Sequence, residues 1–418
     1  EGDADEDDID KKYNLAGYDD EPDAGGIFSK PENLMVMDDD LMKDTDSEDE
    51  SENDLRIAPT DLILLAGVTD GDDHSSLHMY IIEEEDDPST PAEAYSQSRG
   101  NMFIHHDVLL PTFPLCVEWM NFPFHDPTSV GATGNYVAVG TFLPLIEIWN
   151  LDVVDEMQPT VALGCVDALG AAAPSKKKKN KKNKKKKPTM ALDSHRDAVL
   201  GLSWNSVHRN VLASCSADKT IKIWELERKR TIHTFSHHQD KVSSIAWNPA
   251  ESNIFLSGSY DHSLAVVDVR SPNAGLLRWS VSGDVECVAW NPAEPTCFLA
   301  STDDGNVTCH DMRQPKKTLF TIKAHDKEIS GLQFNPKIKN FIATASGDKT
   351  VKLWDLSGGK PSHVHTYTSP VGCVFSMAFS RDDPFLLAVG GKMSNVDVLN
   401  TRMLSSVARH FQGPAASQ

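Results

Sequence analysis

The chain has 418 residues, 62 acidic against 40 basic side chains, and a formal net charge of −22. No apolar stretch approaches the roughly 18 residues of a membrane-spanning helix, and seven scattered cysteines without C-x-x-C spacing argue against zinc ribbons and thioredoxin-like chemistry. That usage fits a reducing, intracellular compartment, with Cys215, Cys287 and Cys373 expected as small buried residues in strands.

Residues 1–54 hold 22 acidic and 4 basic side chains. Like charges at that density repel, and too little apolar surface is present to offset the entropy of ordering, so a disordered acidic tail is expected. Thr45, Ser47 and Ser51 each have an acidic residue three positions on, Glu48, Glu50 and Asp54. Acidophilic kinases favour that setting, and phosphates would deepen the charge. Such a tail suits histones, basic ribosomal-protein tails or the chain's own lysine run, and plain solubilisation accounts for it as well. Gly26-Ile27-Phe28 and Leu34-Met35-Val36-Met37 are apolar islands within it, suited to docking on a partner or on the folded body.

Strand-like segments follow. Leu62–Gly67, Ser76–Ile81 and Met102–His105 read as the second, third and fourth strands of a unit whose first strand is weak. The nearest candidate for that strand, Leu55-Arg56-Ile57-Ala58-Pro59, lacks the bulky aromatic marker that the later units carry. The sequence opens at Glu1, and a segment upstream of it is expected to supply the strand or compete for it.

The next unit runs from Trp119 through Trp149, and Trp119 precedes Trp204 by 85 residues. Two insertions account for the excess length. One falls between Trp119 and Trp149. The other, residues 167–190, contains Lys176, Lys177, Lys178, Lys179, Lys181, Lys182, Lys184, Lys185, Lys186 and Lys187. No aromatic residue is interleaved, so any contact of this run with nucleic acid should be with phosphates and blind to sequence. A nuclear import signal reads equally from such a run, as does a solvated loop without a partner.

From there a marker keeps time: Trp204, Trp247, Trp290, Phe334 and Phe379 recur at steps of 43, 43, 44 and 45 residues. Asp218, Asp261, Asp304 and Asp348 follow it by 14 residues, and His195, His238 and His325 precede it by nine. A fixed period of this size means one supersecondary unit repeated, each burying an apolar face on the next. Ile221-Lys222-Ile223-Trp224 and Val351-Lys352-Leu353-Trp354 alternate with period two, as strands with one buried face do. Leu386–Val389 and Val396–Leu399 complete the last unit. Each unit reads as a four-stranded meander. Seven units are expected, in an all-β domain over residues 55–411 with a short tail at 412–418.

The recurrent His, Ser and Asp invite a hydrolase reading. A catalytic triad has no reason to recur with the repeat, however, and the aspartate has a local role in a tight turn. Neither G-x-S-x-G, H-E-x-x-H nor a phosphate-cradling glycine loop is present. His105-His106 and His237-His238 lack spaced carboxylate or cysteine partners. No catalytic, cofactor or metal site is expected.

The histidine, the turn aspartate and the closing Trp354-Asp355 resemble the WD40 repeat. The resemblance implies a seven-bladed β-propeller in which His, Ser or Thr, Asp and Trp form a buried hydrogen-bonded chain. By position these are His195, Ser214, Asp218 and Trp224 in one blade, and His325, Thr344, Asp348 and Trp354 in another. The blade of Asp261 lacks the tryptophan, and that of Asp304 lacks both ends. Asp268-Val269-Arg270 and Asp311-Met312-Arg313 are partial matches to the W-D-x-R signal by which some WD40 proteins dock on a cullin-type ubiquitin ligase adaptor. A local Asp–Arg pair is the simpler account.

The whole chain resembles the periodic tryptophan protein 1 family more closely still. The residues that carry this resemblance are the acidic start, Val117-Glu118-Trp119-Met120-Asn121-Phe122, Gly134–Gly140, Ile146–Asp152, the lysine run, and Leu299–Gly305. It implies a scaffold in the nucleus and nucleolus that assembles the large ribosomal subunit through pre-ribosomal proteins and pre-rRNA, with links to ribosomal-DNA chromatin. The expected protein is a monomer within a larger assembly, without membrane contact or cofactor. A histone-binding regulator and a ubiquitin-ligase substrate receptor are the alternatives.

Overall fold

Period-two runs separated by tight polar turns leave each strand little choice but to pair with its sequence neighbour, and the structure is a succession of antiparallel meanders. The computed structural model describes residues 61–71, 74–82, 102–124, 133–154, 157–164, 191, 193–271, 275–315, 317–393 and 395–411. These all belong to one compact unit, Ala58–Gln418. Residues 1–60, the lysine run 176–187 and the tail 412–418 lie outside the described residues, and with them Thr45, Ser47, Ser51 and the candidate strand Leu55–Pro59.

Seven sheets follow one another along the chain. Blade 1 has β1 (Leu62–Asp70), β2 (His74–Ile82) and β3 (Met102–Leu110). Blade 2 has β4 (Pro114–Met120), β5 (Tyr136–Thr141), β6 (Ile146–Asn150) and β7 (Val161–Leu163). Blade 3 has β8 (Val199–Trp204), β9 (Val211–Ser216), β10 (Ile221–Glu225) and β11 (Arg230–Phe235). Blade 4 has β12 (Val242–Trp247), β13 (Ile254–Ser259), β14 (Ser263–Asp268) and β15 (Leu277–Ser280). Blade 5 has β16 (Val285–Trp290), β17 (Cys297–Thr302), β18 (Asn306–Asp311) and β19 (Thr318–Lys323). Blade 6 has β20 (Gly331–Phe334), β21 (Phe341–Ala345), β22 (Thr350–Asp355) and β23 (Ser362–Thr368). Blade 7 has β24 (Val374–Phe379), β25 (Leu386–Gly391) and β26 (Val396–Asn400). A seven-bladed β-propeller results, as the repeat count predicts.

The first strands β4, β8, β12, β16, β20 and β24 pack on one another in sequence and form the inner ring. The second strands are wholly buried in blades 2, 4, 5 and 6, because they are sandwiched between neighbouring blades. That sandwich explains their small residues. A Cβ on Gly258 would lie 2.4 Å from Val285 of the next blade, and one on Gly140 would lie 2.9 Å from Val199. Trp149, Trp224, Phe255, Phe298 and Phe341 are the largest fully buried side chains, and they fill the spaces between the sheets.

Two features depart from the four-strand expectation. Blades 1 and 7 each hold three strands among the described residues. In place of an outer strand, blade 7 is followed by a 3-10 turn (Thr401–Met403) and a short helix, α1 (Ser405–Phe411). The helix buries Val407 and lays Phe411 against Phe341, ring centroids 4.4 Å apart. The cysteines also sort differently. Cys215 is buried, whereas Cys287 and Cys373 are only partly so, and the six described cysteines are free thiols.

Candidate functional site

Strand pairing brings the periodic polar residues together. Trp224 on β10 lies across from Leu212 on β9, which places its indole over Ser214. Trp224 Nε1 donates to Ser214 Oγ at 2.8 Å, Ser214 Oγ lies 2.7 Å from His195 Nε2, and His195 Nδ1 lies 3.0 Å from Asp218 Oδ2. A carboxylate only accepts, so Nδ1 carries the proton. Burial holds the His195 pKa below its ordinary value despite the opposing pull of Asp218, so the ring is neutral and Nε2 accepts from the serine hydroxyl. Burial pushes the Asp218 carboxyl up, but hydrogen bonds from His195 and Thr220 outweigh it and hold the group below the usual carboxylate range.

Blade 6 repeats the arrangement. Trp354 Nε1 donates to Thr344 Oγ1 at 3.0 Å, Thr344 Oγ1 meets His325 Nε2 at 2.8 Å, and His325 Nδ1 meets Asp348 at 2.9 Å. All eight residues expected from the repeat therefore form two closed chains. Ser214 and Thr344 are 0% exposed, and each hydroxyl is held between an indole and an imidazole. Groups so engaged tie the strands of the blade to one another.

Two further blades carry variants that the sequence reading left incomplete. In blade 4, His238 bridges Ser257 at 2.9 Å and Asp261 at 3.0 Å, with Val267 where the tryptophan would be. In blade 5, Asp304 accepts from Ser282 and from the Asn306 amide, both at 2.8 Å. His310 takes the tryptophan position there. It stacks on Phe298 at 5.4 Å, pairs with Thr308 at 2.9 Å, and burial pushes its pKa down to about 4.

Each aspartate also closes its turn. Asp218, Asp261 and Asp348 accept the N–H two residues on, from Thr220, Ser263 and Thr350, at 2.9 to 3.1 Å. The residue between, Lys219, His262 or Lys349, has φ of 69°, 59° or 72°. Left-handed backbone costs a side chain roughly 1–2 kcal/mol, which this fixed turn offsets. In blade 5 glycine takes the position, with φ of 78° at Gly305.

The asparagine beside three of the markers has a role that sequence reasoning missed. Asn205, Asn248 and Asn335 donate from Nδ2 to the carbonyls of Ser252, Pro295 and Pro384 in the following blade, at 2.7, 2.7 and 2.6 Å. Their Oδ1 atoms accept turn N–H groups of their own blade, such as His208, Glu251 and Ile338 at 2.8 Å. The signal was its recurrence next to the tryptophan. Inner strands add further links: Trp247 Nε1 donates to Ser203 O at 3.0 Å and Trp290 Nε1 to Ala246 O at 3.1 Å. Glu118 Oε1 accepts the Trp204 N–H at 3.2 Å, and burial raises its pKa to about 7. Burial does the same to Glu147 in β6.

The lysine insertion joins the outermost strand of blade 2, β7, to the inner strand of blade 3, β8. Its base is closed by a hydrogen bond from Ala191 N to Gly164 O at 2.9 Å. The two D-x-R segments are local pairs. Arg270 Nη2 meets Asp268 at 2.7 Å and Arg313 Nη2 meets Asp311 at 2.7 Å, each with a second contact through Nε. Among the described residues no group of three or more His, Cys, Asp or Glu is placed to hold a metal ion, and no helix is long and apolar enough to cross a membrane.

Comparison with known proteins agrees with this architecture. The family model described as EIPR1 beta-propeller matches residues 227–354, and that described as WD domain, G-beta repeat matches residues 186–225. An uncharacterised WD repeat-containing protein of Schizosaccharomyces pombe is 38% identical over 417 residues, 96% of this chain and 75% of that protein. The periodic tryptophan protein 1 homolog of Drosophila melanogaster is 31% identical over 377 residues, 89% of this chain and 74% of that protein. Periodic tryptophan protein 1 of Saccharomyces cerevisiae is 35% identical over 247 residues, 52% of this chain and 42% of that protein.

Proposed function

The chain belongs to the periodic tryptophan protein 1 family, and from that premise we propose that this WD40 scaffold serves ribosome biogenesis. It assembles the large-subunit pre-ribosome in the nucleus and nucleolus through pre-ribosomal proteins and pre-rRNA, without catalysis of its own. The observation that carries this reading is the burial of the His, Ser or Thr and Trp members of both chains, which commits the most reactive-looking side chains to the frame and leaves surfaces and loops for function.

The lysine insertion is the phosphate-contacting element. Its closed base between two adjacent blades supports a role for ten lysines acting from a fixed root. Lysine is a mobile point charge, so its contribution is salt-dependent and indifferent to base identity. Deleting residues 176–187 should weaken association with pre-ribosomes and flatten the dependence of RNA affinity on salt. Each lost phosphate contact removes about 0.7 from the log–log slope on single strands. A slope unchanged by the deletion would remove the RNA contact and leave the run as an import signal.

A further inference from the structure

Two equivalent positions recur where each inner strand begins beside the turn after its second strand. One lies six residues before the inner-strand marker, and the other five residues past the residue that pairs with that marker. In blades 3 through 7 the amide of the second donates to the carbonyl of the first, at 2.9 to 3.3 Å. The pairs therefore form a rim around one mouth of the ring, and their chemistry is unequal. Blade 3 has Ala198 and Ala217. Blade 4 holds Lys241 Nζ 4.0 Å from the centroid of the Tyr260 ring. Blade 5 has two aspartates, Asp284 and Asp303, and blade 6 sets Glu328 against Gly347.

Blade 2 fills the same two positions with Phe113 and Phe142. Their rings lie 5.9 Å apart at an interplanar angle of 51° and are 46% and 59% exposed. A blade closes this corner without aromatic rings, as the alanines of blade 3 show, so the two phenylalanines are surplus to the frame. Phe142 opens the turn Phe142-Leu143-Pro144-Leu145 between β5 and β6. That turn is also the footing of the lysine insertion. A Cβ on Gly164 would lie 3.4 Å from Pro144 O, and Gly164 O accepts the Ala191 N–H that closes the insertion's base. The four residues from Lys187 to Ala191 extend at most about 14 Å, which tethers the end of the lysine run to that footing. Ten lysines thus leave the rim beside the two rings, whereas the rim carboxylates Asp284, Asp303 and Glu328 stand in blades 5 and 6, away from blade 2.

We propose that Phe113 and Phe142 form a base-stacking platform for single-stranded RNA. The proposal rests on the phosphate-contacting reading of the lysine insertion given above and supplies what lysines cannot. Exposed aromatic faces take up unpaired bases, whereas the bases of a duplex already have both faces covered by their neighbours in the stack. Lysines rooted on the Phe142 turn hold the strand's phosphates near the rings. Carboxylates on the far sector of the rim repel the same phosphates and confine the strand to the blade 2 side. The density of positive charge at this one footing favours RNA over an apolar peptide, for which ten cations have no use. The platform makes the chain prefer unpaired to paired RNA while base identity stays weakly read.

The test uses the full chain and the anisotropy of a fluorescent RNA single strand of about 12 nucleotides, against the same sequence as a duplex. Phe113→Ala with Phe142→Ala should weaken single-strand binding about tenfold or more and leave duplex affinity and the salt slope as they were. Phe113→Tyr with Phe142→Tyr keeps both rings and should keep the parental affinity. Circular dichroism should be unchanged, because both side chains are exposed. No loss on the single strand, or an equal loss on both RNAs, overturns the platform. Should the deletion of residues 176–187 still flatten the salt slope in that case, the lysine contact stands and the platform alone falls. An unchanged slope with the alanine loss intact removes the lysine contact instead. A parent chain that binds neither RNA overturns both readings. A protein partner lost from the alanine variant while its RNA affinity is intact assigns the rings to that partner and also overturns the proposal.

Discussion

Trp224 and Ser214 lie ten residues apart in sequence and one strand apart in blade 3, and the indole N–H of the first donates to the hydroxyl of the second at 2.8 Å. The same hydroxyl serves His195. One buried oxygen thus satisfies two groups that have no access to water. Ser214→Ala should leave the Trp224 N–H and His195 Nε2 unpartnered, at roughly 1–3 kcal/mol for each orphaned group. Thr308→Val in blade 5 strands only His310 and should cost less. Denaturant midpoints for the two variants check the order.

Glu118 joins blades 2 and 3 and carries a folded pKa of about 7, raised from 4.5 chiefly by burial. Between those values the folded state binds more protons than the unfolded chain, so this contribution to stability falls as pH rises from about 4.5 to 7. Glu118→Gln keeps an oxygen acceptor for the Trp204 N–H and removes the titration. The variant should gain stability over the parent at pH 8 relative to pH 5. Unfolding midpoints across that range that run parallel for the two proteins would contradict this.

Gly258 is a packing residue. Gly258→Ala puts a Cβ 2.4 Å from Val285 and should destabilise by about 1–3 kcal/mol. A second change, Val285→Ala, should recover part of the loss. Gly275→Ala, whose Cβ would have nothing nearer than 3.6 Å, should be close to neutral. Thermal unfolding of the four proteins reads this directly.

Arg270 and Arg313 pair with Asp268 and Asp311 on the solvent side. The Asp268 pair is exposed and contributes little, whereas Asp311 is buried and loses its cation, so the double Arg→Ala protein should unfold slightly below the parental midpoint and retain its partners. A ubiquitin-ligase adaptor that co-purifies with the parent and is lost from the double variant would show the pairs to be a docking signal.

Much of this was legible because the repeat repeats its exceptions as well as its rules. His195, Asp218 and Trp224 stand at fixed offsets that only a recurring strand pairing imposes. Asn205, Asn248 and Asn335 were visible directly after a repeat marker, but an asparagine before a turn reads as a local residue, and its bond to the next blade exists only once the ring is built. His310 looked like a lost tryptophan, yet its ring stacks on Phe298 in the same space. Helix α1 was not foreseen, since seven residues are too few for a helical period to show and its hold is two side chains, Val407 and Phe411.

The central claim is that the propeller is a frame whose lysine loop meets pre-ribosomal RNA. Crosslinking the chain to RNA in cells and mapping the crosslinked peptides tests it most directly. The account predicts precursor RNA of the large subunit, joined at peptides containing Lys176–Lys187 and lost on their deletion. Recovery of histones through the acidic tail with no RNA adduct anywhere on the chain would contradict it.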